Sequence, residues 1–328
     1  MAGRFSPRTP TPGHPRRASA PAPRPAGRTR VWAATKGPLD LALTLGPLRR
    51  GPGDPTYRTT PDGAVWRTSR TPAGPATLRL TATKDTAHAE AWGEGAEWML
   101  DQLPAMLGEL DDPEAFEPRH RLVAETHRRH PGLRLTRTGL VLESLIPSVL
   151  EQKVTATEAY RAWRLLVRGF GEPAPGAAPE GMYVMPDARR WAMIPSWEWH
   201  RAGVDSKRSD TVMRAVRVAR RMEEAAAMEQ TQAAERLRLI SGIGPWTAAE
   251  TLQRAIGAPD LVTVGDLHLP GIIGHALAGN RHADDAEMLA LLEPYAGQRH
   301  RAVRLILLSG RTPPRRAPRF QPNNIAVL

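Results

Sequence analysis

The sequence predicts an α+β chain in which a small N-terminal antiparallel β-sheet domain packs on an all-helical core. Three observations carry this. Apolar residues recur with a period of two from Val31 to about Gly93, and after Asp111-Asp112-Pro113 the period lengthens to that of a helix. Within the helical part, a glycine-rich stretch joins two helical patterns through four residues, Ser241 to Gly244. A chain of 328 residues, 41% of them hydrophobic, can bury ample core; its length suggests roughly two or three domains.

Residues 1–30 are built almost wholly from Pro, Arg, Ala, Gly, Ser and Thr, with Phe5 the only large apolar side chain beyond Met1. Such a composition forms no core and reads as a disordered tail; a transit peptide and a mis-assigned start codon are the alternatives. Residues 31–112 read as a β-rich α+β domain. Leu39, Leu41, Leu43 and Leu45 alternate with Asp40, Ala42 and Thr44, as Leu78 and Leu80 do with Thr77, Arg79 and Thr81. Asp62-Gly63 supplies a hairpin turn between strands at Tyr57 to Thr60 and Ala64 to Ser69. A third alternation, Ala87 to Ala91, precedes a helix with Ala96, Met99, Leu100 and Leu103 on its apolar face.

Residues 113–310 read as helical. Thr155 and Glu158 form a capping box opening a helix through Tyr160, Trp163, Leu166 and Val167, closed by Gly169 and Gly171. A Pro/Gly-rich loop follows from Glu172 to Gly181. A helix from about Lys207 to Met228 carries Val212, Val216 and Ala219 on one face, with Arg214, Arg217 and Arg221 on a solvated face. Trp191, Trp197 and Trp199 read as packing between helical layers, with base stacking the alternative. No repeat of fixed period is present, and residues 311–328 form a basic tail.

The net charge of +11 invites a nucleic-acid partner, but its location matters. Seven arginines in residues 1–30 and four in 311–328, with no acid in either, account for all of it. Residues 31–310 are formally neutral, so specific binding has to come from local geometry, while the tails either neutralise phosphates or merely solubilise. No cysteine is present, which removes disulfides, zinc thiolates and iron–sulfur clusters. With no long apolar run and no signal-like start, a cytoplasmic, nucleoid-associated protein is expected, and nothing requires more than a monomer.

The stretch Leu239 to Gly271 carries the chemistry. Ser241-Gly242-Ile243-Gly244 is too tight for anything but glycine at its special positions, and Pro245 suits the first turn of the following helix. The hairpin ends in exposed amides backed by a helix dipole, a site for one phosphate that reads no base sequence. Asp266 follows twenty residues after Trp246, behind the apolar run Leu261 to Val264. A carboxylate there faces whatever the hairpin holds, though an aspartate in that place also caps the helix beginning near Leu267.

This segment resembles the helix-hairpin-helix and Gly/Pro-Asp signature of the DNA glycosylase superfamily, most of all bacterial 3-methyladenine DNA glycosylase II. Pro131-Gly132-Leu133-Arg134-Leu135 and Val149-Leu150-Glu151-Gln152-Lys153-Val154-Thr155 match two further family stretches, in family order and over residues 31–310. The resemblance implies double-stranded DNA with a damaged base as partner, a helix-hairpin-helix glycosylase core, and a largely architectural N-terminal sheet. It implies that Asp266 is the catalytic carboxylate, stabilising the oxocarbenium character of the sugar and orienting or deprotonating water. The absent cysteines separate the chain from the endonuclease III branch.

Trp246 stands where bifunctional members place a Schiff-base lysine, and no lysine follows Lys207. A monofunctional hydrolase is therefore expected; Lys153 is the one lysine that could upset this, without family precedent. Gly242, Ile243, Gly244 and Thr247 would grip the DNA, while Gln152 and Lys153 stand where the family inserts side chains into the gap left by the everted nucleotide. Trp246 would stack on the base, or belong to the core. Three positions that carry aromatics in the family are Glu250, Leu267 and Gln298 here. Glu250, Arg299, His300 and Arg301 then either read a base by hydrogen bonds or form structural ion pairs. His268 either polarises water or is a structural residue at a helix start. No side-chain metal site and no cofactor are expected, apart from a structural Na or K at the backbone carbonyls of Arg238, Ile240 and Ile243 that the resemblance implies. Alkylated purines are the substrate class implied; an oxidised- or deaminated-base glycosylase and a non-catalytic damage-binding protein are the alternatives.

Overall fold

The computed structural model describes residues 26–314. The expected tails lie outside them, apart from residues 26–30 and 311–314. Strand β1, Arg28–Ala33, begins inside the stretch read as a tail. Its arginines explain why: Arg28 ion-pairs with Glu97, and Arg30 bonds Asp101 and the carbonyl of Leu100. An arginine row with no nearby acid reads as solvated until distant acids are brought up to it.

The second correction falls on Leu39 to Leu45. Leu41–Leu45 is helix α1, opened by Asp40, whose carboxylate accepts from the amide of Leu43. The alternation is accidental, and the cap decides. Strands β2, Tyr57–Thr59, β3, Val65–Thr71, β4, Gly74–Ala82, and β5, Thr86–Trp92, form an antiparallel meander, and β1 adds beside β5 to give the order β1-β5-β4-β3-β2. Register places Val65 opposite Leu80 and Leu78 opposite Ala91, so one face is a buried sheet of small and branched side chains. Helices α2, Ala96–Asp101, and α3, Leu103–Met106, cover it with Met99, Leu103 and Met106.

The helical part divides into two cores. The first comprises α5, Val141–Leu150, through α12, Pro245–Ala255; the second comprises α13, Leu269–Ala278, α14, Asp285–Leu292, and α15, Arg299–Leu308, together with α4, Arg121–Arg129, from earlier in the chain. Nine of the ten residues of α5 are buried, which offsets the missing N–H of Pro147 inside it. Helix α6, Ala156–Phe170, opens with the expected capping box, Thr155 and Glu158 bonding reciprocally.

Strands β6, Glu172–Pro173, and β7, Tyr183–Val184, turn the Pro/Gly-rich loop into a small hairpin. Ala174, Ala177 and Ala178 of this loop cover Trp66 and Trp92, which stack on each other. After α7, Ala188–Ala192, and α8, Ser196–Arg201, the long helix expected over 207–228 is broken: α9 spans Ser206–Arg217 and α10 Ala219–Glu223, ending in a 3-10 turn. Trp191 is buried between Trp163 and Trp199, as packing predicts, whereas Trp197 is 64% exposed and belongs to no layer. Helix α11, Gln230–Arg238, leads into the hairpin before α12. Among the described residues no helix is long and apolar enough to cross a membrane.

Candidate active site

The hairpin between α11 and α12 is shaped by Gly242 (φ +97°), where a Cβ would lie 2.1 Å from Thr211 Oγ1. Gly242 therefore permits both the turn and the close approach of α9. Arg214 Nε donates to the Ser241 carbonyl, while Gln152 Nε2 donates both to the Gly242 carbonyl (2.9 Å) and to Thr247 Oγ1 (2.8 Å). Gln152 thus ties the loop after α5 to the hairpin. Next to it, exposed Lys153 is the one non-glycine residue with positive φ (+55°) among the described residues. A lysine held in the left-handed region costs about 1–2 kcal/mol. Lys153→Gly is expected to raise stability in urea unfolding by about 1 kcal/mol while weakening damaged-duplex binding; a gain in stability with unchanged affinity would assign the strain no DNA role.

Asp266 lies on the connection from α12 to α13. Its Oδ1 accepts from the amides of His268 (2.8 Å) and Leu269 (2.9 Å), and its Oδ2 from the Trp246 indole N–H (3.0 Å). The capping contact and the Trp246 contact use different oxygens, so the carboxylate is fixed from two sides. Trp246 is half-buried and holds the carboxylate by its ring edge.

Behind Asp266 a cavity of about 340 Å3 opens where the two helical cores meet, between α12 on one side and α13 and α15 on the other. Helix α12 contributes Glu250, Gln253 and Arg254, and α15 contributes His300, Val303, Arg304 and Leu307, each set at helical spacing on one face. His268 stands at the exposed rim. Leu267 is 81% exposed and Gln298 is turned away, donating to the Asp112 carbonyl and accepting from Arg301; neither lines the cavity. Arg299 pairs with Asp260 and Arg301 with Asp111, both outside it. Of the candidate base readers, Glu250 and His300 remain. Glu250 both lines the cavity and bonds Arg254 Nη1 at 2.6 Å.

Sequence reasoning missed Arg254 and Arg304. Each lies four residues beyond a residue it had singled out, Glu250 and His300, and that spacing was the available signal. Carbonyls at the far end of the chain fix both: Arg254 Nε donates to Pro47 O (2.9 Å) and Arg304 Nη2 to Leu43 O (2.8 Å).

His300 is only 6% exposed, and its Nδ1 has no hydrogen-bond partner among the described residues. Burial, followed by the nearby Arg304, Arg254 and Arg301 charges, holds the imidazole well below its ordinary value of 6.5. In the unfolded chain the ring protonates as pH falls through 6.5, while the folded protein binds no proton there. Stability present above that pH is therefore lost on acidification, at up to about 1.4 kcal/mol per pH unit until the folded value is reached. His300→Gln should flatten this part of a urea-midpoint profile between pH 6.5 and 5; an unchanged slope would assign the loss to other groups.

No protein-family profile matches the chain. Over 219 residues it is 26% identical to a protein of Mycobacterium tuberculosis (strain H37Rv) described as a probable bifunctional transcriptional activator/DNA repair enzyme AlkA. That alignment takes in 63% of this chain and 43% of the relative, so the chain spans less than half the length of the curated relatives it matches. The fold is similar to that of 3-methyladenine DNA glycosylase from Archaeoglobus fulgidus (TM-score 0.69, 17% identity, covering 86% of this chain and 98% of that one). It is similar also to the 8-oxoguanine glycosylase/lyase of Clostridium acetobutylicum in complex with double-stranded DNA (TM-score 0.65, 10% identity, 87% and 98%).

Proposed function

From its helix-hairpin-helix motif and its fold similarity to solved DNA glycosylases, we propose that the chain belongs to the helix-hairpin-helix DNA glycosylase superfamily and is a monofunctional member, which everts one damaged base from duplex DNA and hydrolyses its N-glycosidic bond. The observation that carries this reading is Asp266, held by three N–H donors at the mouth of a cavity that lies behind it. A base entering that cavity brings its deoxyribose to the carboxylate. As the C1′–N bond breaks, its electron pair passes to the base and positive charge grows on the sugar, where a fixed carboxylate stabilises it. Water then bonds C1′ and gives a proton towards Asp266, an uncharged base takes up a proton while a cationic one departs neutral without it, and an abasic site remains.

The hairpin amides of Gly242 to Thr247 would grip one phosphate while Gln152 and Lys153 approach the gap in the stack. A monovalent cation at the carbonyls of Arg238, Ile240 and Ile243 would add a positive contact to the same phosphate. Carbonyl oxygens suit such a hard ion, and Ile240 O, which accepts only the Ile243 amide among the described residues, keeps a lone pair for it. The two similar structures are named for different lesions, 3-methyladenine and 8-oxoguanine, so the alkylated-purine expectation rests on resemblance.

The test is incubation of the full chain with damaged duplex, reading free bases by mass spectrometry and strand cleavage on a denaturing gel. Free base with an intact, alkali-labile strand and no borohydride-trapped adduct is expected. A trapped adduct would point to Lys153 and lyase chemistry, and damaged-DNA binding without base release would leave a recognition module.

A further inference from the structure

Two arginines and two carboxylates line the cavity, Arg254 and Arg304 with Glu250 and Asp266, but the two arginines are not matched alike. Arg254 has Glu250 at 2.6 Å, but Arg304 has no carboxylate within ion-pair distance among the described residues. Among the described residues its one side-chain hydrogen bond goes to the Leu43 carbonyl, which leaves the other guanidinium N–H groups without an acceptor there. Beside it lies the His300 imidazole, with Nδ1 unpartnered. Burial and the two neighbouring arginines push Arg304 down to about 10, so it still carries its charge at neutral pH. Arg304 is half-buried, and guanidinium N–H groups that line a cavity without a protein acceptor are open to one that a ligand supplies.

We infer that this pocket takes an uncharged purine bearing carbonyl oxygens, of the deaminated or oxidised class, and that Arg304, with His300 beside it, selects for that class against cationic alkylated purines. The inference rests on the glycosylase reading and names its substrate. Guanidinium forks bond the O6 and N7 acceptors of hypoxanthine or the carbonyl oxygens of 8-oxoguanine, whose N7 is a donor, whereas the positive charge of a 3-methyladenine or 7-methylguanine nucleoside is repelled by the same group. The chemistry of departure agrees. A cationic base leaves as a neutral molecule and needs little help, but an uncharged keto-purine leaves with the electron pair of the broken bond. That negative charge spreads onto its carbonyl oxygens, where Arg304 and Arg254 stabilise it before the base takes a proton. Of the three positions read as aromatic in the family, Glu250 alone lines the cavity, and it offers a cationic base no aromatic face, consistent with this division.

The experiment compares single-turnover base release by the full-length wild type from matched duplexes carrying hypoxanthine, 8-oxoguanine, 7-methylguanine or 3-methyladenine. Hypoxanthine or 8-oxoguanine should leave at least about tenfold faster than either alkylated base, and Arg304→Gln should slow it by about 10- to 100-fold, the loss of one charge-assisted hydrogen bond. Retained binding of Arg304→Gln to an abasic-site duplex distinguishes this from misfolding, and Arg304→Lys should restore part of the rate. Faster release of the alkylated bases by the wild type overturns the inference while leaving the glycosylase reading intact. Release of none of the four, with damaged duplex still bound, overturns both.

Discussion

Asp266→Asn is expected to slow base release by about 10³-fold while leaving abasic-duplex affinity unchanged and lowering stability by no more than about 1 kcal/mol, the loss of the Trp246 hydrogen bond. Asparagine is nearly isosteric and keeps an oxygen to accept the His268 and Leu269 amides, so the start of α13 survives. What it lacks is the full negative charge opposite the sugar, together with the Oδ2 acceptor of the Trp246 indole N–H, where the amide nitrogen now stands. Asp266→Ala should show the same loss of rate together with about 1 kcal/mol of further lost stability, because the cap is then gone as well. The pair of variants separates the two jobs of one carboxylate. Full activity in Asp266→Asn, with only the alanine destabilised, would reduce Asp266 to a helix cap and sink the catalytic assignment.

The largest effect on stability is expected at Arg301. It is 1% exposed, pairs with Asp111, donates from Nε to Gln298 Oε1 at 2.6 Å, and ties α15 to the segment before α4. Arg301→Met should cost about 3–5 kcal/mol, because Asp111 is left buried without its cationic partner. Adding Asp111→Asn should recover part of this, since the amide oxygen still accepts from the Leu135 N–H and no charge is stranded. Urea unfolding reads both, and base release per folded molecule should match the wild type. A specific loss of activity with normal stability would instead return Arg301 to the group of base readers.

That contrast shows where the sequence was legible. Hairpin, capping box and meander are local, and Gly242, Thr155 with Glu158, and Asp62-Gly63 announce them within a few residues. Asp266 was legible because its distance from the hairpin is fixed by one helix and one short connection. By contrast, four adjacent polar residues, Gln298 to Arg301, look interchangeable in a string. On α15 they point around a full turn, so His300 enters the cavity, Arg301 is locked to Asp111 and Arg299 to Asp260. Only the tertiary direction of the helix decides among them. The same limit hid α1, whose alternating leucines mimic a strand while Asp40 starts a helix, and it hid the acids that recruit Arg28 and Arg30 into β1.

The carbonyls of Leu43 and Pro47 that hold the pocket arginines have a bearing on how the chain acquires its selectivity. They bridge 261 and 207 residues of sequence, among the most non-local contacts the molecule makes, and such contacts form late in folding because their loop-closure entropy must be met first. During synthesis the hairpin and Asp266 emerge from the ribosome before α15 does. Yet α15 carries Arg301 and the buried Ala302, Val303, Leu305 and Ile306 that complete the second helical core. A chain lacking α15 therefore loses one wall of the cavity and much of that core together, and limited proteolysis before α15 should abolish base release and lower the unfolding midpoint in one step.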